Sequence, residues 1–284
     1  MTRTLTFYLV FIATLLCLGS CAQKPTRVFT TQDINSIFLE KELQRPIKID
    51  AKTIFVDARS NFQFAMLHAP QSVHVSWTDF TKNSKSGTLK EDLTGEAQRL
   101  ALLGIAPASD VVVLSGRDHK SWIDAGYVAW ALMYLGVKQV QLVNMHHLHI
   151  HYYNNHPPPR PNAPVWQPKL AARMLVNHSE IEKLKANIHT PFVRVIDSRT
   201  HAEFSFEWRE FFNRNDRPSL KMKRKLNAMG IKDGDRIIAL SSRGLRAAAV
   251  AYSLLAVGFR NVGILPGGTI ELLNRVSSAK FHMR

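Results

Sequence analysis

Cysteine is almost absent from this chain of 284 residues: there are two, Cys17 and Cys21, both within the first 21 positions. From residue 22 onward there is none, which excludes a disulfide framework, a cysteine-ligated zinc site and a thiol nucleophile from the folded body. Acidic residues are scarce too, 22 against 37 Lys and Arg, leaving a formal net charge of +15. The N-terminal apolar run, Leu5 to Leu18, covers 14 residues, short of the ~20 that a helix needs to cross a bilayer. With 45% hydrophobic residues, 14 Gly and 13 Pro, the composition is that of a folded globular protein. The length suits about two domains of roughly 100 to 200 residues each.

Arg3 followed by that short run reads as a signal peptide over residues 1–20. Leu18-Gly19-Ser20-Cys21 then resembles the lipobox of bacterial lipoproteins. The resemblance implies a mature chain beginning at a lipidated Cys21, with residues 21–27 as a tether. More than one acyl chain makes such an anchor durable. The first expected partner is therefore a membrane, and the expected location the cell envelope. Ala22 rather than Asp follows the cysteine, which the resemblance associates with the periplasmic side of the outer membrane in a two-membrane cell.

One unit occurs twice. Thr53 to Phe64 (TIFVDARSNFQF) matches Phe192 to Phe204 (FVRVIDSRTHAEF), setting Asp57, Arg59 and Phe64 on Asp197, Arg199 and Phe204 at a lag of 140. Gly104 to Arg117 matches Gly230 to Arg243, with Ser115 on Ser241, and Tyr127 to Val143 matches Ala249 to Leu265. Three blocks in the same order exclude chance. Within each unit, Val/Ile-rich runs alternate with helical patterns that end at Gly136 and Gly258, good residues for a helix C′ position. Runs apolar on both faces suit buried parallel strands. The expected fold class is therefore α/β, two domains each with an open parallel sheet flanked by helices. The expected boundaries are 28–151 and 169–284, joined by a Pro-rich linker over 152–168 whose prolines favour extended chain.

Over residues 28 to 275 the chain resembles a tandem-domain rhodanese, a thiosulfate or mercaptopyruvate sulfurtransferase. The resemblance rests on Asp57-Ala58-Arg59 with His68-Ala69-Pro70, on Asp197-Ser198-Arg199, and on the loop Ser241-Ser242-Arg243-Gly244-Leu245-Arg246-Ala247 followed by Gly258-Phe259 and Gly267-Gly268. It implies rhodanese-like folds and an active loop in the second domain. The family's loop opens with a cysteine that cycles between thiolate and persulfide, and here that position is Ser241. A serine hydroxyl is hardly ionised without a positioned base and has no stable counterpart of a persulfide. Persulfide relay at position 241 is excluded. Ser115 occupies the same place in the first unit.

A second departure is a shortening. Twelve residues separate Phe64 from Trp77, and only Ser205, Phe206 and Glu207 separate Phe204 from Trp208. The nine missing positions include the His-x-Pro turn and most of a strand. The loop itself survives: Ser241, Ser242, Arg243, Gly244, Leu245 and Arg246 form six residues between a strand and a helix. Their N–H groups are expected to converge at the helix's positive end and to bind a small oxyanion. The resemblance also implies structural roles for Asp57, Arg59, Asp197 and Arg199, each Asp holding the adjacent loop and each Arg answering a buried carbonyl or carboxylate.

Other features carry weaker signals. His147, His149 and His151 share one face in extended chain, a pattern that binds Zn²⁺, Ni²⁺ or Cu²⁺. His119 lies near Ser115 and Ser121, an arrangement too common to establish a hydrolase. Residues 22–160 carry a net charge of +3 and residues 161–284 one of +11. Lys221, Lys223, Arg224 and Lys225, with Arg209, Arg214 and Arg217, form either a solvated face or a surface for anionic envelope polymers. No aromatic interleaving supports nucleic-acid binding. The leading expectation is a membrane-anchored tandem rhodanese-like lipoprotein, catalytically inactive, binding a small oxyanion or a protein partner and needing no cofactor. The alternatives are a thiosulfate sulfurtransferase and a His-rich metal-binding envelope protein.

Overall fold

In a computed structural model of the chain, the residues described are 52–148, 162–177, 179–180, 193–197, 204–213 and 216–271. The expected signal peptide, Cys21 and its tether all lie outside them. No described helix is long and apolar enough to cross a membrane.

The first half runs β1 (Ile54–Asp57), α1 (Asn61–Met66), β2 (Val73–His74), α2 (Thr94–Leu102), β3 (Asp110–Ser115), α3 (His119–Leu135) and β4 (Gln139–Asn144). The second runs β5 (Val193–Asp197), β6 (Phe204–Ser205), α4 (Leu220–Ala228), β7 (Arg236–Leu240), α5 (Leu245–Ala256) and β8 (Val262–Ile264). Each half builds a four-stranded, all-parallel sheet in the same order, β2-β1-β3-β4 and β6-β5-β7-β8. The Val/Ile runs of β3 and β7 occupy the sheet interiors, with Val111 to Leu114 and Ile237 to Ala239 almost wholly buried. Such runs satisfy parallel strands covered on both faces. The open α/β architecture is the one the repeat implies.

Pairing corrects the repeat at one place. Asp57 lies opposite His74 and Val56 opposite Val73, while Asp197 lies opposite Ser205 and Ile196 opposite Phe204. Phe204 therefore takes the position of Val73, not of Phe64, and Trp208 that of Trp77. Six residues join β5 to β6 where fifteen join β1 to β2, and the edge strand is two residues long in both halves. A matched aromatic misled the alignment, because hydrogen-bond register and not side-chain type decides which residue sits at an edge.

The halves meet helix to helix. Gly126 of α3 approaches Ala249 of α5 so closely that a Cβ on the glycine would stand 2.5 Å from the Ala249 Cβ. Around this contact Tyr252 Oη accepts from Leu142 N of the outer strand β4 at 2.7 Å, and the Trp122 ring packs on Phe212 at 4.6 Å. Residues 162–171, the end of the expected linker and the chain after it, run along the first half. There Ala163 N donates to Ala101 O, Trp166 Nε1 to Ile105 O and Ala171 N to Tyr134 O.

Candidate functional site

The loop after β7 has its carbonyls engaged and its amides open. Ser241 O accepts from Thr269 N, Ser242 O from Ile270 N, and Arg243 O from Gly87 N of the first half, at 3.1, 3.1 and 2.8 Å. Gly244 caps α5 with a left-handed φ of 83° and contributes no side chain. A Cβ there would collide with the carbonyl oxygen of Pro266, so glycine is required by both conformation and space. Among the described residues, the N–H groups of Ser242 through Arg246 have no acceptor. Helix α5 begins at Leu245, so the irregular part is four residues, Ser241–Gly244, and not the six expected from the sequence. Leu245 and Arg246 are the first helical turn, whose orphan amides point along the same positive end.

Ser241 is 2% exposed, and its Oγ accepts from Ala247 N at 3.2 Å. The hydroxyl thus serves as a cap inside the loop. Ser242, Arg243 and Arg246 are exposed, so the open amides belong to a segment that also carries two basic residues. Asp124, on α3 of the first half, is buried and pairs with Lys120 at 2.6 Å. Burial raises its pKa above the usual carboxylate range, opposed by the charges of Lys120 and Arg243. Neither Asp124 nor Gly87 could be assigned to this loop from the sequence, because each comes from the other half.

In the corresponding loop of the first half, side chains engage two of the amides. Ser115 is fully buried, and its Oγ lies 3.5 Å from Val143 O. Gly116 N donates to Ser121 Oγ at 2.6 Å, and Asp118 caps α3 by accepting from Ser121 N at 2.8 Å. His119 packs edge-on against the Trp208 ring at 6.0 Å and makes no hydrogen bond with Ser115 or Ser121 among the described residues. Asp-x-x-Ser ahead of an apolar helix is a capping signal that the sequence carried.

Asp57 and Arg59 form a buried two-pronged pair, Nη2 to Oδ2 at 2.7 Å and Nε to Oδ1 at 3.0 Å, with Arg59 Nη2 also donating to Leu67 O at 2.5 Å. Arg59 thus answers a carboxylate and a carbonyl. The Asp57 carboxylate is turned to Arg59 rather than to the loop, accepting from that residue's side chain and from its backbone N–H. Asp197 ends β5; the side chain of Asp197 and all of Arg199 lie outside the described residues.

His147 sits in a 3₁₀ turn, Met145–His147, rather than in extended chain, with Nε2 3.7 Å from Asp216 Oδ2. His149 and His151 lie outside the described residues, and no cluster of three or more metal-ligating side chains occurs among those described. Several basic residues expected on a free face are engaged. Lys223 is buried and bonds Asp233 at 2.8 Å and Val257 O at 3.0 Å, Lys225 pairs with Glu210, and Arg209 pairs with Asp216 at 2.7 Å over Trp122 and Trp208.

The rhodanese-like domain matches residues 39–146 and again residues 180–273. No curated protein sequence matches the chain significantly. Among solved structures the chain is similar to wild-type EanB (15% identity, TM-score 0.63, covering 85% of this chain and 65% of that one). It is also similar to the anaerobic ergothioneine biosynthesis enzyme from Chlorobium limicola in complex with trimethyl histidine (14%, 0.62, 85% and 66%). A third is YnjE (18%, 0.59, 82% and 64%). The chain spans just under two thirds of the length of these structures, and at such identities the likeness speaks to fold. Two family matches covering most of the chain, each on a sheet of the same strand order, place this protein in the rhodanese-like domain family.

Proposed function

We propose that this protein is a rhodanese-like anion-binding module that does not carry sulfur. The observation that supports it is the second-half loop, where N–H groups from Ser242 to Arg246 lack acceptors among the described residues and Arg243 and Arg246 flank them. Converging amides at a helix N-terminus favour a small oxyanion such as sulfate, thiosulfate or phosphate. The buried hydroxyl of Ser241 stands where the family's chemistry needs a thiolate, and no cysteine follows residue 21. With no base bonded to it among the described residues, that oxygen neither attacks the outer sulfur of thiosulfate nor holds it. In this reading the protein is held at the cell envelope by lipid on Cys21, with the loop facing its aqueous surroundings.

Calorimetric titration with sulfate, thiosulfate and phosphate tests the site. Saturable binding of at least one at millimolar concentration is expected, weakened in Arg246→Ala. No binding of any of the three sinks the reading. Thiocyanate formation from thiosulfate and cyanide is expected to stay at background for the natural chain, and turnover above it would make the protein a sulfurtransferase.

A further inference from the structure

A cleft of about 390 Å³ opens between the halves, a size within the ~300 to 1,000 Å³ typical of small-molecule sites. One wall is a two-stranded ribbon of the first half. Thr81 and Leu89 bridge antiparallel, Lys82 N donates to Thr88 O, and Lys90 N donates to Phe80 O. That register sets Lys82, Thr88 and Lys90 on one face of the ribbon, the two lysines diagonal to each other. The facing wall is apolar, built from Leu175, Val176, Leu265 and Pro266 at the end of β8 and the segment bridged to it. Glu271 also lines the cleft, its Oε2 accepting from Gly267 N at 3.0 Å and from Thr88 Oγ1 at 3.3 Å. None of the residues Ser241–Gly244 lines this cleft, which adjoins the anion loop where Pro266 packs on Gly244; the inference does not depend on the reading of that loop.

The charges of the lining decide the ligand class. Two ammonium groups, Lys82 and Lys90, oppose two carboxylates, Glu91 and Glu271. An anion would meet the carboxylates, and a cation would meet the lysines. A molecule carrying one charge of each sign, with an apolar body, suits both the rim and the wall. The Lys82–Glu91 pair is 2.7 Å long but 45% and 88% exposed. Such pairs hold weakly, so an incoming carboxylate can replace Glu91 on Lys82. Lys90 keeps its partner Glu96 at 2.7 Å and has further N–H donors to offer. We propose that the cleft binds a small apolar zwitterion, of which a free aliphatic amino acid is the simplest. Its carboxylate lies between Lys82 and Lys90, its ammonium adds to the Glu271 carboxylate, which accepts several donors, and its side chain rests on Leu175, Val176 and Leu265.

The test is calorimetric titration of the full chain with L-leucine, 4-methylpentanoate (no ammonium) and 3-methylbutylamine (no carboxylate). Leucine is expected to bind saturably, and each analogue at least about tenfold more weakly. Glu271→Gln is expected to weaken leucine about tenfold while leaving 4-methylpentanoate unchanged, and Lys82→Ala with Lys90→Ala to weaken both. Sulfate binding at the loop should be the same in all of them. No leucine binding, equal binding of the analogues, or leucine affinity untouched by the variants would each overturn the proposal. The analogue series uses the natural chain, so it decides the matter even where a variant fails to fold.

Discussion

The two halves share a sheet order and a strand-loop-helix unit, yet they place different side chains at the start of the helix. In the first, Asp118 and Ser121 fold back over the loop, so that Gly116 N and Ser121 N are bonded by the loop's own side chains. In the second, the cap is Gly244, which has no side chain to offer, and the carbonyls of three successive residues are drawn away by Thr269, Ile270 and Gly87. The first helix start thus carries a carboxylate and bonds Gly116 N, while the second carries neither; among the described residues Arg117 N to Lys120 N in the one and Ser242 N to Arg246 N in the other have no acceptor. Amides left open at a helix start are answered by water or by a ligand. That difference is what favours the second half in the proposal of an anion site.

The largest effect should come from restoring sulfur to each loop separately. Ser241→Cys places a thiol among open amides that lower its pKa, and thiocyanate formation is expected to rise from background to measurable turnover. Ser115→Cys should stay silent, because that position is fully buried beneath a loop closed by Asp118 and Ser121. Activity from both, or from Ser115→Cys alone, would break the comparison. Next in size are the glycines. Gly244→Ala must adopt a left-handed φ and push against Pro266, and a loss of about 2–5 kcal/mol is expected by urea denaturation. Gly116→Ala meets only the side chains of Ser121, Arg59 and Asp118, at 3.1 to 3.4 Å, and should cost about 1 kcal/mol.

Much of this was legible in the sequence, and the reasons for the rest are physical. The β1, β3 and β7 runs announce themselves, because a strand buried on both faces has little choice but Val, Ile, Leu, Phe and Ala. The place of the second loop follows from Ser241 to Gly244 lying between such a run and an apolar helix. What escaped were relations between distant positions. Nothing near Lys223 in sequence shows that it is buried against Asp233 and Val257, and nothing near Arg243 points to Gly87 or Asp124. The first contact forms when α4 packs within its own half, and the second only when the halves close on each other. The edge strand escaped for another reason: at two residues, its pairing is fixed by what its neighbour offers, and Phe204 was free to slide nine positions relative to the repeat.

Two smaller effects sharpen the contrast. Asp118→Ala removes the cap of α3 and should cost about 1 kcal/mol. It also frees Ser121 N and removes a carboxylate beside the open amides of Arg117 to Lys120, so sulfate stoichiometry in a titration is expected to rise above that of the natural chain; an unchanged stoichiometry would mean that Asp118 is not what keeps an anion out. The smallest concerns Asp124, which joins the halves electrically. Burial raises its folded pKa above the unfolded value near 3.8, so the folded state binds the proton more tightly than the unfolded one. The stability this adds is fully present below the unfolded pKa and is lost as pH rises through the folded pKa. Asp124→Asn carries no proton to lose, so its stability relative to the natural chain should improve across that acidic window and then level off toward neutrality. Urea denaturation from pH 3.5 to 7 measures this directly. A difference independent of pH would show that Lys120 and Arg243 already hold the carboxylate at its ordinary affinity, offsetting the cost of its burial.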